Sequence, residues 1–222
     1  ILTRDKDISY AGCGLPYYVG GAIEELDALI VNTPEKYTRL TGARVLTGWE
    51  AIAVDPAAKT VQARTEAGEE QSFAYDELVI TTGASAVLPP IPGMDKQGIF
   101  KLRTPKDAAG IRSYIETTRA ARALVIGAGF IGLETAENLM AQGLAVTVVE
   151  AAPQILPNVL DSEMAAYIQR QLQGKGLQIL TGVKASSVLG DAKATGLQTE
   201  MGPLNGDLII ASAGIRPNTA FL

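Results

Sequence analysis

The chain has 222 residues, a formal net charge of −5, no histidine and one cysteine, Cys13. That length buries one substantial core or two modest ones. An acidic chain without a long basic run does not suit a nucleic-acid partner. A single cysteine excludes an intrachain disulfide, and the lack of histidine removes Ser-His-Asp and Cys-His chemistry and the usual zinc ligands.

No stretch reaches the length of a membrane span, about 18 apolar residues or more, and no basic segment followed by an apolar one opens the chain. The expectation is therefore a cytoplasmic protein with no membrane partner. In chain order, Ile1-Leu2-Thr3 reads as the tail of a strand, and a loop from Arg4 leads to the glycine-rich stretch Ala11–Gly21 around Cys13. A short helix beginning near Gly14 would turn its free N–H groups back on Cys13 and favour the thiolate. The competing reading is a buried, inert small hydrophobe. Residues 24–31 and 34–40 read as helical, the second opened by Thr33 as cap and Pro34 in the first turn. Short strands are expected at 44–46 and 51–54. Residues 60–65 and 70–74 flank a Glu66–Glu69 turn as a hairpin, with Val61, Ala63 and Thr65 on one face. Leu78–Thr81 reads as a buried strand ending at Thr82-Gly83-Ala84, the place where an α/β sheet receives ligand.

Pro89, Pro90, Pro92 and Gly93 mark a linker. A helix from Pro105 to about Thr118 then leads to the most informative stretch. There a strand, 123–126, runs into Gly127-Ala128-Gly129-Phe130-Ile131-Gly132, a helix, and a second strand ending on Glu150, 23 residues after Gly127. Strand, glycine turn, helix and acid together form the dinucleotide fingerprint. Gly127 makes the tight turn, Gly129 admits the pyrophosphate to the backbone, Gly132 lets helix and strand pack, and the helix N-terminus meets the phosphates. Glu150 would hold the ribose hydroxyls and repel a 2′-phosphate, so NADH is expected over NADPH. A helix from Asp161 to about Gly174, a strand at 177–181, a hairpin of 184–189 with 195–199 and a parallel strand at 207–213 complete a β-α-β-α-β arrangement. Hydride chemistry needs an acceptor that no side chain supplies, which implies a flavin, and Cys13 is the only thiol to receive the electrons next.

Gly14-Leu15-Pro16-Tyr17-Tyr18 after a single cysteine, Thr82-Gly83-Ala84, Pro90-Ile91-Pro92-Gly93, Leu102-Arg103-Thr104 and the 127–139 run together resemble the two-dinucleotide-domain flavoprotein disulfide reductases. Within them the chain is similar to the single-cysteine branch of coenzyme A-disulfide reductases, NADH oxidases, NADH peroxidases and CoA persulfide reductases. The resemblance implies an α/β fold. A Rossmann-like, three-layer NAD-binding domain at 101–222 follows a linker at 91–100 and an incomplete FAD-binding domain of the glutathione-reductase type at 1–90. It implies that Cys13 is the redox cysteine and that Ser9 touches the CoA end of its substrate. Arg4, Ala51, Thr82, Gly83 and Ala84 would contact FAD. Phe130 would move as nicotinamide stacks, Glu134 would stand near the nicotinamide, Ile131 would complete the dinucleotide turn, and Gly214 and Ile215 would close over it.

Two positions depart from the branch's pattern: Thr3 stands where relatives carry the acid that holds the FAD ribose, and Gly12 where CoA-disulfide reductases usually have asparagine. The implied function is FAD-dependent transfer from NADH to a small-molecule disulfide or persulfide, with NADH oxidase or peroxidase turnover of oxygen species as the alternative. The resemblance further implies that the chain is part of a longer, homodimeric enzyme whose dimerisation domain follows this segment. By itself the chain is expected to be a weak NADH binder without flavin or turnover.

Overall fold

A computed structural model describes all 222 residues. The chain divides into two compact units. The first comprises Ile1–Ala11, Asp27–Ser85 and Arg216–Leu222, the second Gly12–Leu26 and Ala86–Ile215. The chain changes unit at Ser85–Ala86, close to the proline-rich linker, but the division is not the linear one expected from sequence. Residues 12–26, with Cys13, belong to the second unit, and residues 216–222 to the first.

In the first unit β1 (Leu2–Thr3) would leave its ladder unpaired alone; it pairs in parallel with Leu46–Thr47, and β2 (Ser9–Tyr10) pairs with β3 (Ile30–Asn32). Labelling Leu46–Thr47 as β4, the larger sheet follows as β5 (Trp49–Asp55), β6 (Thr60–Thr65) and β7 (Glu70–Ala74), an antiparallel meander. The alternation read in β6 holds: Val61 and Ala63 are buried and Thr65 is half-buried. Trp49 and Phe73 meet edge to face at 5.5 Å across the outer strands. The helix predicted at 34–40 is present as Pro34–Thr41. Lys36 N–H donates to the Thr33 hydroxyl at 3.2 Å, and Gly42 closes the helix in the left-handed region. Glu35, in the first turn, is held below the ordinary carboxylate range by its own backbone N–H, the Thr33 hydroxyl and Arg39.

Two expectations fail in this unit. Residues 24–31 do not form an α-helix; a 3₁₀ turn at Leu26–Leu29 runs directly into β3, whose pairing with β2 outweighs the helical pattern. Leu78–Thr81 is neither a strand nor buried, with Val79 82% and Ile80 47% exposed. An apolar run becomes a buried strand only where neighbours complete its ladder, and no strand of this chain pairs with it. Extended pairing begins after it, where β8 (Ala84–Ala86) meets Ile215–Pro217.

In the second unit, α1 (Leu15–Val19) comes first in the chain, ahead of the helix Pro34–Thr41 already described, which is α2. The core is a five-stranded parallel sheet. Its members are β9 (Ile99–Phe100), β10 (Arg122–Ile126), β11 (Ala145–Glu150), β12 (Gln178–Thr181) and the strand Leu208–Ala211, in spatial order β12-β11-β10, Leu208–Ala211, β9. β9 was not predicted; it adds to the far edge through Ile99 and Phe100. The helices α3 (Pro105–Thr118) and α5 (Ser162–Gly174) match their predicted spans, and α4 (Phe130–Ala141) is the helix expected after the glycine turn. Thr104 and Asp107 form a reciprocal capping box on α3, and Asp161 caps α5 through Met164 N–H at 2.8 Å.

The predicted hairpin forms as β13 (Ala185–Leu189) and β14 (Gly196–Thr199), extended by an unpredicted β15 (Gly202–Asn205). This antiparallel sheet is the third layer. Val188 and Leu197 pack with Leu124, Val149 and Ile209 of the parallel sheet in one buried cluster. The strand Leu208–Ala211, β16, is buried at every position, and β17 is the Ile215–Pro217 partner of β8. The result is an α/β Rossmann-type nucleotide-binding fold.

Candidate functional site

The candidate dinucleotide site is built at the C-terminal ends of β10 and β16. Their register, Ile126 opposite Ala211, brings Ser212 against the glycine turn. The Ser212 hydroxyl donates to the carbonyl of Ile126 at 3.0 Å and of Gly127 at 3.1 Å. Gly127 has φ +103°, and a Cβ there would press on the Ser212 carbonyl oxygen at 2.5 Å. A Cβ on Gly132 would overlap the Gly127 carbonyl, so helix and turn touch backbone to backbone. Gly129, the N-cap of α4, is different: its Cβ position is open, with no protein atom within 4 Å. A side chain would fill that space, and its emptiness is what a pyrophosphate cradle at a helix N-terminus requires. Gly127 and Gly132 thus sit where a side chain would clash, Gly129 where one would fill open space, and these residues fit a dinucleotide.

Glu150 ends β11 half-buried, and its carboxylate bridges two loops. Ala128 N–H donates to one oxygen and Ala152 N–H to the other, each at 2.7 Å. The acid is held at the turn before any ribose arrives, its remaining lone pairs available to hydroxyl donors. Phe130, Ile131 and Ile215 are exposed apolar side chains, at 57%, 40% and 55%, on the segments that follow β10 and β16. Glu134 is exposed on α4, one turn after Phe130. Gly214 is exposed in the loop after β16, with φ +111°. The structure therefore brings Gly127, Gly129, Gly132 and Glu150 together around one turn. Ser212, which locks that turn, carried no signal in the sequence.

Cys13 lies in a 3₁₀ turn, Gly12–Gly14, that continues into α1. Cys13 is exposed, so it is not the buried small hydrophobe of the competing reading. A Cβ at Gly12 would meet no atom within 4 Å beyond its chain neighbours. Leu15, Pro16 and Val19 anchor α1 beneath the turn.

The residues expected to face a flavin lie in the first unit, as does Ser9, expected at the CoA end of the substrate. Ser9 pairs with Asn32 in the β2–β3 ladder, and Ala51 sits in β5 next to a bulge. Arg4 is exposed and engages Glu50 at 3.3 Å and Asp5 at 3.7 Å. Thr82 donates its hydroxyl to the Asn218 carbonyl at 2.6 Å, and Asn218 N–H donates to the Gly83 carbonyl at 3.0 Å. Asn218 is thus the residue that shapes the Thr82–Gly83 segment leading into β8, another role that sequence reading missed. No group of three or more Cys, Asp or Glu side chains is placed to hold a metal, and no helix is long and apolar enough to cross a membrane.

Comparison with known proteins follows the same lines. The pyridine nucleotide-disulphide oxidoreductase family matches residues 1–222. The chain belongs to this family, in its single-cysteine branch. It is 38% identical over 218 residues to an NADH oxidase of Methanocaldococcus jannaschii, covering 98% of this chain and 49% of that protein. Among solved structures it superposes on a reduced CoADR-RHD protein of Bacillus anthracis with a TM-score of 0.94 at 31% identity, covering 99% of this chain and 40% of that one. A NAD-dependent persulfide reductase from A. fulgidus gives 0.93 at 34% identity, covering 98% and 41%. The chain spans about half the length of the curated relatives it matches.

Proposed function

We propose that the protein, at full length, is an FAD-dependent NADH:disulfide oxidoreductase that reduces a CoA disulfide or CoA-linked persulfide through Cys13. The observation that carries this reading is the exposed Cys13, in the same compact unit as a glycine turn whose Gly129 leaves open space at the α4 N-terminus. Gly127, Gly129, Gly132 and the α4 N-terminus would hold the pyrophosphate, with Ile131 alongside, and Glu150 the ribose. Phe130, Glu134, Gly214 and Ile215 would border the nicotinamide. An acidic side chain there would oppose a 2′-phosphate, which favours NADH over NADPH.

FAD would be held by Arg4, Ala51 and Thr82–Ala84, and when bound it supplies the two-electron relay between dihydronicotinamide and thiol. Cys13 thiolate would attack one sulfur of the disulfide, forming a Cys13 mixed disulfide and expelling a thiolate, which takes a proton to leave as the first thiol. Two electrons from NADH and one proton then cleave the mixed disulfide, releasing the second thiol and restoring the thiolate. The sum is NADH, one proton and one disulfide giving NAD⁺ and two thiols. Ser9 would contact the CoA portion.

A second reading, NADH oxidase, is favoured by the 38% identity to the M. jannaschii protein of that name. There Cys13 would cycle through a sulfenic acid. The full-length protein, kept anaerobic with CoA disulfide as acceptor, should consume NADH and release two thiols per NADH. Slow anaerobic turnover with rapid NADH consumption in air would move the assignment to the oxidase.

A further inference from the structure

The Cys13 turn does not stay with the chain on either side of it. Residues 12–26 leave the first unit and are clasped by two helices of the second. Gly20, at the end of α1, lies directly against Asn138 of α4, and a Cβ at residue 20 would collide with the Asn138 amide oxygen. Asn138 is itself buried and fixed, its amide N–H donating to the Glu134 carbonyl at 2.9 Å. One turn along α4, Gln142 donates its amide N–H to the Gly20 carbonyl at 2.7 Å. On the other side, Arg112 of α3 donates to the Glu24 carbonyl at 2.9 Å and stacks over the Tyr18 ring at 4.9 Å, while Glu116 holds its guanidinium at 3.3 Å. The contacts of Gly20, Tyr18 and Glu24 join the cysteine segment to α3 and to the α4 end, and the bonds to Glu134 and Glu116 brace their partners within those helices. The second of these helices begins at the dinucleotide turn itself.

We propose that the Gly20–Asn138 close approach, tied down by Gln142 and Arg112, is the positioning device for the redox cysteine. The thiol is then placed by the NADH-binding helix, and Gly20, Asn138 and Gln142 are positioning residues. The inference rests on the reading of Cys13 as the redox thiol. A close backbone-to-side-chain seam suits this task because it has no slack: an added methyl must move one partner, and displacement by about 1 Å can cost on the order of a hundredfold in rate.

The test uses the full-length protein. Gly20→Ala should lower thiol release from CoA disulfide by roughly tenfold or more, while NADH bleaches bound flavin at a rate within about twofold of wild type. Gly20→Ala should also change the rate at which iodoacetamide alkylates Cys13, a readout independent of the electron acceptor. Adding Asn138→Gly to Gly20→Ala makes room for the methyl and should restore both rates, although a glycine inside α4 keeps the double variant less stable than wild type, so recovery of rate is separated from recovery of stability. Should Gly20→Ala fail to fold, Gln142→Ala removes one hydrogen bond without a clash. It should shift thiol release and alkylation in the same direction by roughly two- to fivefold. Unchanged alkylation and thiol release in Gly20→Ala, or in Gln142→Ala where that variant stands in, overturn the proposal. So does a double variant that remains as impaired as Gly20→Ala. If the wild type releases no thiol yet alkylation still follows the seam, the proposed function fails and the positioning stands.

Discussion

Gly127 is the residue at which backbone and neighbour both forbid a side chain. Its φ of +103° is strained for any L-residue, and its Cβ position abuts the Ser212 carbonyl. Gly127→Ala should destabilise the chain by about 1–3 kcal/mol and abolish measurable NADH binding, read by urea unfolding and by quenching of NADH fluorescence. Glu150 is a subtler case, since each carboxylate oxygen already accepts a backbone N–H at 2.7 Å. Glu150→Gln offers one acceptor where two are needed and turns an amide N–H toward a backbone N–H. NADH affinity should fall by roughly 1–3 kcal/mol, while the affinity ratio of NADPH to NADH rises because the opposing charge has gone. Titration with both coenzymes checks this; an unchanged ratio would deny Glu150 its part in selectivity. Gly127, Gly132 and Glu150 were legible because their spacing encodes a local strand-turn-helix geometry. Ser212 was not, because its hydroxyl reaches Gly127 only through the register of β10 with β16, distant in sequence.

At the scale of elements, what was legible had its stop and start signals in the chain. Thr33-Pro34, Thr104-Pro105 and Asp161 each open a helix, and their side chains cap it as their positions suggest. Thr104→Ala would remove the hydroxyl that accepts Asp107 N–H at 3.2 Å and half of the capping box. A loss of about 1 kcal/mol is expected in chemical denaturation. Glu35 gives a pH signature of the opposite kind: its carboxyl is depressed in the folded chain, so its stabilising effect is present above the unfolded value and disappears as pH falls through the folded one. A Glu35→Gln variant should therefore differ from wild type in stability at neutral pH and converge with it in acid.

What was not legible depended on partners. Leu78–Thr81 has the composition of a buried strand, yet composition cannot supply the neighbouring ladder, and in this chain the run stays exposed. Val79→Ala should cost under about 0.5 kcal/mol, against roughly 1–3 kcal/mol for the same truncation at the fully buried Val148. A large loss at Val79 would show it packed in solution.

For the molecule as a whole, the chain order hides the division of labour. Residues 1–88 read as one continuous segment, and a boundary at the proline-rich linker follows from composition. The fold instead takes the Cys13 loop out of that segment and lays it on α3 and α4. The reason lies in contacts that no local pattern announces: a glycine that admits Asn138 and a carbonyl that accepts Gln142, each more than a hundred residues away. In the proposed reaction a thiol and a dinucleotide serve one electron path, and the Cys13 turn and the glycine turn belong to the same compact unit.

That path through Cys13 is the central claim, and replacing the sulfur tests it most directly. In the full-length protein, Cys13→Ser should leave anaerobic flavin bleaching by NADH intact and reduce thiol release from CoA disulfide to background. Undiminished thiol release from the serine variant would contradict the claim and place the disulfide chemistry elsewhere.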